Sequence, residues 1–254
     1  MLALRILKNA VLEIFVDFLQ TLKIFLLPCF IMIAAFVMTL MVMSADPIGY
    51  SPKLGIVTLI AIGAFCLLWS AVNFHRKILL SAQIGWVPPV HFREMLSYGI
   101  MCIPFLLILG ALLFFAGTLA THIVPFGMPG WWYWASAYML AVYLVVTILS
   151  LYLFSQLPGL AIGEHLQQVF RRGSGARGTL ALIAVIVMVA GITATTTEDI
   201  LLSVLFPDTD HLPSKMLLVA LAGYRLLWLM VSVIIQLSLV TTLYGYYGKG
   251  RPLR

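Results

Sequence analysis

Charge is what this sequence has least of. Of its 254 residues only 9% are Asp, Glu, Lys or Arg, and acids are the scarcer kind, 9 against 15 basic residues. Soluble domains carry about 25% charged residues. Too little polar surface exists here to cover a globule in water, which excludes an ordinary soluble enzyme. Cysteine is scarce too. Cys29, Cys66 and Cys102 are the whole set, without the CxxC spacing of a metal or redox centre, and in apolar stretches such residues serve as small buried hydrophobes. No Ser/His/Asp set, HExxH, P-loop or GxGxxG stands in a suitable context. Catalysis needs polar groups converging on a pocket, and these stretches supply few. Neither an enzyme activity, a cofactor nor a metal is expected.

Apolar sequence is what abounds. Hydrophobic residues make up 63% of the chain and the mean hydropathy is +1.08. Crossing the roughly 30 Å hydrocarbon layer takes about 20 apolar residues in a helix, so the gaps between charges count the spans. Residues 24–45 and 54–75 are uncharged runs of 22 each. Met95 to Gly163 is uncharged over 69 residues, too long for one span. The turn signal Pro125-Phe126-Gly127-Met128-Pro129-Gly130 divides it into helices near 101–121 and 131–155. Residues 178–197 give a fifth span and 226–246 a sixth. The expected architecture is all-α: a single polytopic membrane domain over 1–254 with six transmembrane helices.

The few charges test that count. With both ends cytoplasmic, the inside segments hold Arg5, Lys8 and Lys23; Arg76, Lys77 and Arg93; Arg171, Arg172 and Arg177; and Lys249, Arg251 and Arg254. That is 3+3+3+3 = 12 of the 15 basic residues, leaving Lys53, Lys215 and Arg225. Short loops obey a positive-inside bias, so the net charge of +6 reports orientation, and no nucleic acid is expected as a partner. Trp131, Trp132, Tyr133 and Trp134 stand where the fourth span meets one interface, and Tyr244, Tyr246 and Tyr247 where the sixth meets the other, as amphipathic rings do.

Residues 1–23 are not a secretory signal, because Arg5, Lys8, Glu13 and Asp17 break up any apolar run. At about 100° per residue, Arg5, Lys8, Glu13, Asp17 and Lys23 share one side and Leu4, Leu7, Val11, Ile14 and Phe15 the other. This pattern predicts an amphipathic helix lying in the membrane interface, with docking on a partner as the other reading. Beyond the fifth span, Thr195-Thr196-Thr197-Glu198 has capping-box spacing, which predicts a separate short helix from Ile200 to Phe206, ended by Pro207. Pro28 and Pro104 fall near helix starts, where proline costs little, and Pro158-Gly159 marks a kink or an end. Gly110, Gly117, Gly191 and Gly223 are expected to allow close helix contacts.

Five polar positions stand out as structural or functional candidates. Arg225 interrupts the apolar stretch between Lys215 and Lys249, and an intramembrane charge is a functional hypothesis by default. Three roles fit it: a boundary anchor with Tyr224 and Trp228, a partner of Glu198 or Asp199, or a substrate or ion site. The anchor is preferred, since the residues after it suffice for a span. His75 and Arg76 close the second span, and interfacial hydrogen bonding is the expected role of this histidine. No two histidines fall at mid-depth of neighbouring spans, as paired haem ligands would. Asp208-Thr209-Asp210-His211 offers two carboxylates and an imidazole, but these are ordinary turn residues as well.

Three stretches carry a resemblance. Ala71-Val72-Asn73-Phe74-His75-Arg76-Lys77-Ile78-Leu79-Leu80, Leu157-Pro158-Gly159-Leu160-Ala161-Ile162-Gly163 and the ending Thr241-Thr242-Leu243-Tyr244-Gly245-Tyr246-Tyr247-Gly248-Lys249-Gly250-Arg251-Pro252-Leu253 resemble motifs of a family of small six-helix membrane proteins from alphaproteobacteria. That family is loosely related to the membrane domain attached to some glycerophosphodiester phosphodiesterases. The resemblance implies a bacterial inner-membrane protein and brings no settled activity. The soluble phosphodiesterase barrel has no counterpart in these residues, so its chemistry is not carried over, and Phe154-Ser155-Gln156 departs from the arginine that relatives tend to carry there. The function expected is that of an accessory or scaffolding subunit. Its partners would be the lipid bilayer and other integral membrane subunits. A transporter is the alternative, with Arg225, Gln236, Asn73 and the Pro158 kink facing inward.

Overall fold

The computed structural model describes residues 2–45, 51–123, 130–164, 177–205 and 215–253. Helix is the only regular structure among them. In chain order the helices are α1 (Leu2–Phe15), α2 (Phe18–Ala45), α3 (Ser51–Leu80), α4 (Phe92–Ile123), α5 (Trp131–Phe154), α6 (Leu157–Ala161), α7 (Arg177–Leu205) and α8 (Lys215–Leu243). A π-helical turn over Tyr244–Gly248 continues α8. Six segments are long and apolar enough to cross a membrane: α2, α3, α4, α5 with α6, α7 and α8. The protein is a six-span helical membrane protein.

The helices overrun the expected spans. α4 begins at Phe92 rather than near 101, and α3 ends at Leu80 rather than at 75. Gaps between charges measure hydrocarbon thickness, whereas backbone hydrogen bonding continues through the headgroup layer. Pro28 and Pro104 consequently lie inside α2 and α4, not near their starts. The break at Pro158 is real: α5 stops at Phe154, and α6 is a separate buried turn of helix.

The short helix expected after Glu198 does not exist as a separate element, since α7 runs unbroken to Leu205. The hydroxyls of Thr195, Thr196 and Thr197 donate to carbonyls one turn back, on Gly191, Ile192 and Thr193. Satisfied in this way, they cap nothing. Phe206, Pro207, Asp208, Asp210 and His211 lie outside the described residues.

The expected helix 1–23 divides at Val16 and Asp17, and residues from Phe18 onward belong to α2. α1 packs against α7 and α8 through Ala3, Ile6, Ala10 and Ile14, all buried, while Leu4, Val11 and Phe15 are exposed. Small side chains bring the backbones close enough for Ser238 Oγ to donate to the Ala10 carbonyl at 2.5 Å. Thr242 Oγ1 donates to Glu13 Oε2 at 3.2 Å, which seats the first helix on the end of the last. α1 and the segment that follows α8 therefore lie at one end of the bundle, called the terminal face below.

Packing concentrates at that face. From Trp69 to Ile78 every residue of α3 is buried except the half-buried Arg76. Its last turns join two apolar clusters. In one, Trp69 and Val72 meet Met95, Tyr98, Phe105 and Leu157. In the other, Phe74 and Ile78 meet Ile14, Ile24, Phe25 and Ile84. Nearer the opposite end, α2 and α3 touch closely at Gly55, where a Cβ would come within 3.3 Å of the Thr39 methyl. Among the described residues the close contacts expected at Gly110, Gly117 and Gly191 are absent, for a Cβ at each would meet no atom within 4 Å. The surroundings of Gly223 lie outside the described residues.

Candidate functional site

The terminal face carries a buried polar hub centred on the end of α3. Asn73 and Lys77, four residues apart, share one face of the helix, and His75 leaves on the opposite side. Each meets a different neighbour. Such a helix end, polar on more than one side, must be wrapped by protein or water, and here protein wraps it.

Asn73 Nδ2 donates to the carbonyls of Trp69 at 2.9 Å and Pro89 at 3.0 Å, and Trp69 Nε1 donates to the same Pro89 carbonyl at 3.1 Å. Two side chains thus hold the α3–α4 connection against the helix. His75 is fully buried, with Nδ1 2.7 Å from Thr241 Oγ1 and Nε2 3.1 Å from Tyr98 OH. Thr241 spends its own proton on the Leu237 carbonyl, so its oxygen accepts from Nδ1–H. The ring is then the neutral Nδ1–H tautomer, and Tyr98 donates to Nε2. The result is a relay of hydrogen bonds from α4 through α3 to α8.

The basic residues at this face bind backbone carbonyls where helices meet. Lys77 Nζ donates to the Asp17 carbonyl at 2.9 Å and to Thr21 Oγ1 at 2.7 Å, and Thr21 Oγ1 donates in turn to the Ile14 carbonyl at 3.4 Å. The Thr21 hydroxyl thus takes a carbonyl near the end of α1, and Lys77 holds the Asp17 carbonyl where α2 begins, which fixes the bend at Val16 and Asp17. Arg76 Nη1 donates to the Ala161 carbonyl at the end of α6 at 3.3 Å and lies 3.7 Å from Glu94 Oε1. Arg251 Nη1 reaches the Ile78 carbonyl near the end of α3 at 2.6 Å. Cations at helix C-termini are favoured by the exposed carbonyls and the helix dipole alike. Glu164 accepts from Tyr244 and Lys249, tying the residue after α6 to the C-terminal segment. His91, just ahead of α4, is held below the usual histidine range by burial first and by the nearby Arg76 second, against an opposing pull from Glu94.

Of the candidates read from the sequence, His75 and Arg76 belong to this hub, but His75 lies inside the bundle rather than at the interface. Arg225 stands apart on α8, exposed beside exposed Tyr224 and Trp228. Glu198 and Asp199 lie in the last turns of α7, and their side chains lie outside the described residues. Asn73 is named by the sequence only for the transporter reading, and Lys77, Tyr98 and Thr241 are not among its candidates. Their signal was density, because Asn73-Phe74-His75-Arg76-Lys77 crowds four polar residues into just over one turn of a span end.

A search against protein families, curated proteins and solved structures found no match. What the hub can do is read from its chemistry alone. Its histidine and tyrosine are committed to each other, its cations to backbone carbonyls, and no group of three or more His, Cys, Asp or Glu able to hold a metal occurs among the described residues. The hub ties α1, α2, α3, α4, α6 and α8 together at one end. Beside it opens a cavity of about 270 Å³ lined by Glu13, Asp17, Gln20, Lys77, Ser81 and Arg251 among others.

Proposed function

We propose that this chain is a non-catalytic accessory or scaffolding subunit that packs against a larger complex in a bacterial inner membrane, with both termini cytoplasmic. The observation that carries the reading is the uneven cover of its spans. In the most apolar windows of α4 and of α5 with α6, only 11% of residues are buried by the rest of the chain, against 44% in α8. Leu107, Phe114 and Phe115 of α4 are each about two-thirds exposed. Gly110 and Gly117 lie one heptad apart on the same helix with open space where a side chain would stand. Lipid accounts for exposed aliphatic and aromatic side chains, but a pair of glycines gains nothing from lipid and permits close approach of a second helix. The bacterial inner membrane is supported by the resemblance of the α3 end and the C-terminal segment to alphaproteobacterial six-helix proteins.

The transporter reading requires Arg225 and Gln236 to face inward. Both are exposed, and among the described residues the buried polar groups other than Thr39 gather toward the terminal face. The test is purification in mild detergent from the native host, with a photoreactive amino acid at Phe114 and, as control, at Val57 on the exposed side of α3. The expected result is a polypeptide adduct at Phe114 and none at Val57. Adducts at neither position, with a free monomer or homo-oligomer in solution, would reject the subunit reading.

A further inference from the structure

The 270 Å³ cavity beside the hub has the wrong composition for a packing defect. Glu13 of α1, Asp17 of the α1–α2 bend, Lys77 at the end of α3 and Arg251 of the C-terminal segment line it with Gln20, Ser81 and Gln83, and Val16, Ile78 and Ala82 form its apolar remainder. Carboxylates therefore face bases across a space large enough for several non-hydrogen atoms. A simple anion would meet the bases but be repelled by Glu13 and Asp17, and a simple cation would meet the reverse. A zwitterion with a cationic head a few bonds from its phosphate satisfies both sets.

Donor capacity and depth agree with such an occupant. Lys77 and Arg251 anchor on backbone carbonyls and one hydroxyl, leaving most of the guanidinium free to donate. The cavity sits at the level of Lys77–Ser81, where an apolar span reaches its end. That is the depth of lipid headgroups. Val16 and Leu19 beside it are 62% and 69% exposed, an apolar flank on which acyl chains can lie.

We propose that this cavity binds a phosphoethanolamine group, its ammonium donating to Asp17 and its phosphate accepting from Arg251 and Lys77, while Glu13, whose oxygens accept from Asn9 Nδ2 and Thr242 Oγ1, adds negative charge beside the ammonium. The site is independent of the α4–α5 surface and does not rest on the subunit reading. A primary ammonium is required because a choline headgroup carries the same charges but has no N–H to donate.

The experiment is thermal unfolding and native mass spectrometry of the full chain in detergent, titrated with phosphatidylethanolamine, phosphatidylcholine and phosphatidylglycerol of matched acyl chains. Soluble phosphoethanolamine forms a separate arm. Phosphatidylethanolamine is expected to bind roughly tenfold more tightly than the other two lipids, as one charge-assisted hydrogen bond would give, and to raise Tm. A Tm rise with soluble phosphoethanolamine alone identifies the free molecule as the ligand; a rise only with the lipid identifies the membrane as its source. Asp17→Asn keeps the shape of an exposed side chain and is expected to abolish the preference for ethanolamine over choline. Equal binding of the three lipids to the unaltered protein, which needs no variant, overturns the proposal. So does a preference that survives Asp17→Asn.

Discussion

His75 is the residue on which the hub turns. It touches three helices' worth of structure: its own α3, Tyr98 on α4 and Thr241 on α8. Replacing it with alanine leaves two buried hydroxyls without this partner and a ring-sized void between them. An unpaired buried group costs about 1–3 kcal/mol, and large-to-small changes add a void on top, so His75→Ala is expected to lower stability by roughly 3 kcal/mol or more. Tyr98→Phe removes one bond and no volume and should cost about 1 kcal/mol. Thermal unfolding in one detergent checks both, and equal, small effects would mean that the relay does not hold the helices together. The sequence placed His75 at the interface because Arg76 follows it and a charge was taken to mark the water boundary. That inference fails where the charge is spent on another helix's carbonyls. Arg76 reaches Ala161, not bulk solvent, and its neighbours on α3 can then be fully enclosed.

At the scale of elements, hydrophobic length was legible and helix ends were not. Six spans follow from uncharged runs, because a bilayer core tolerates few charges and requires continuous helix. Where a helix stops depends on what takes up its last carbonyls, and those partners come from far along the chain: Arg76 for α6 and Arg251 for α3. α1 shows the same limit. Its two-sided pattern was legible, but the stripe that meets protein consists of Ala3, Ile6 and Ala10, two of them too small to weigh in a hydrophobic count. Their smallness is what allows the approach to Ser238. The expected consequence is selective protection: Ile6→Cys should resist a membrane-impermeant maleimide in which Lys8→Cys reacts fully. Both positions are on one helix, and Ile6 has 0% exposure while Lys8 is exposed. Equal labelling of the two would show that α1 is not seated on α7 and α8. The native cysteines lie within spans and leave the reading clear.

Among the described residues the packing is asymmetric, denser at the terminal face than toward the other. The same asymmetry appears in the charges, and the two have one physical origin. Basic residues that bind backbone carbonyls where helices meet and basic residues that resist translocation are wanted at the same end, since Lys77, Arg76 and Arg251 serve both needs. Twelve of the 15 basic residues belong to the terminal-face segments in the six-span reading, so the expected orientation places that face in the cytoplasm. The redundancy makes a sharper prediction than orientation alone. Neutralising Arg171, Arg172 and Arg177 together leaves 12 − 3 = 9 basic residues on those segments against three elsewhere, and the topology should not invert. Reporter fusions that are active on only one side of the membrane, placed after residue 253 and between α4 and α5, should therefore keep opposite signals in the parent and in the triple variant. Signals that exchange in the variant would mean that this one connection sets the topology. The docked hub residues would then contribute nothing to holding the terminal face inside, and the positive count would have to be read loop by loop.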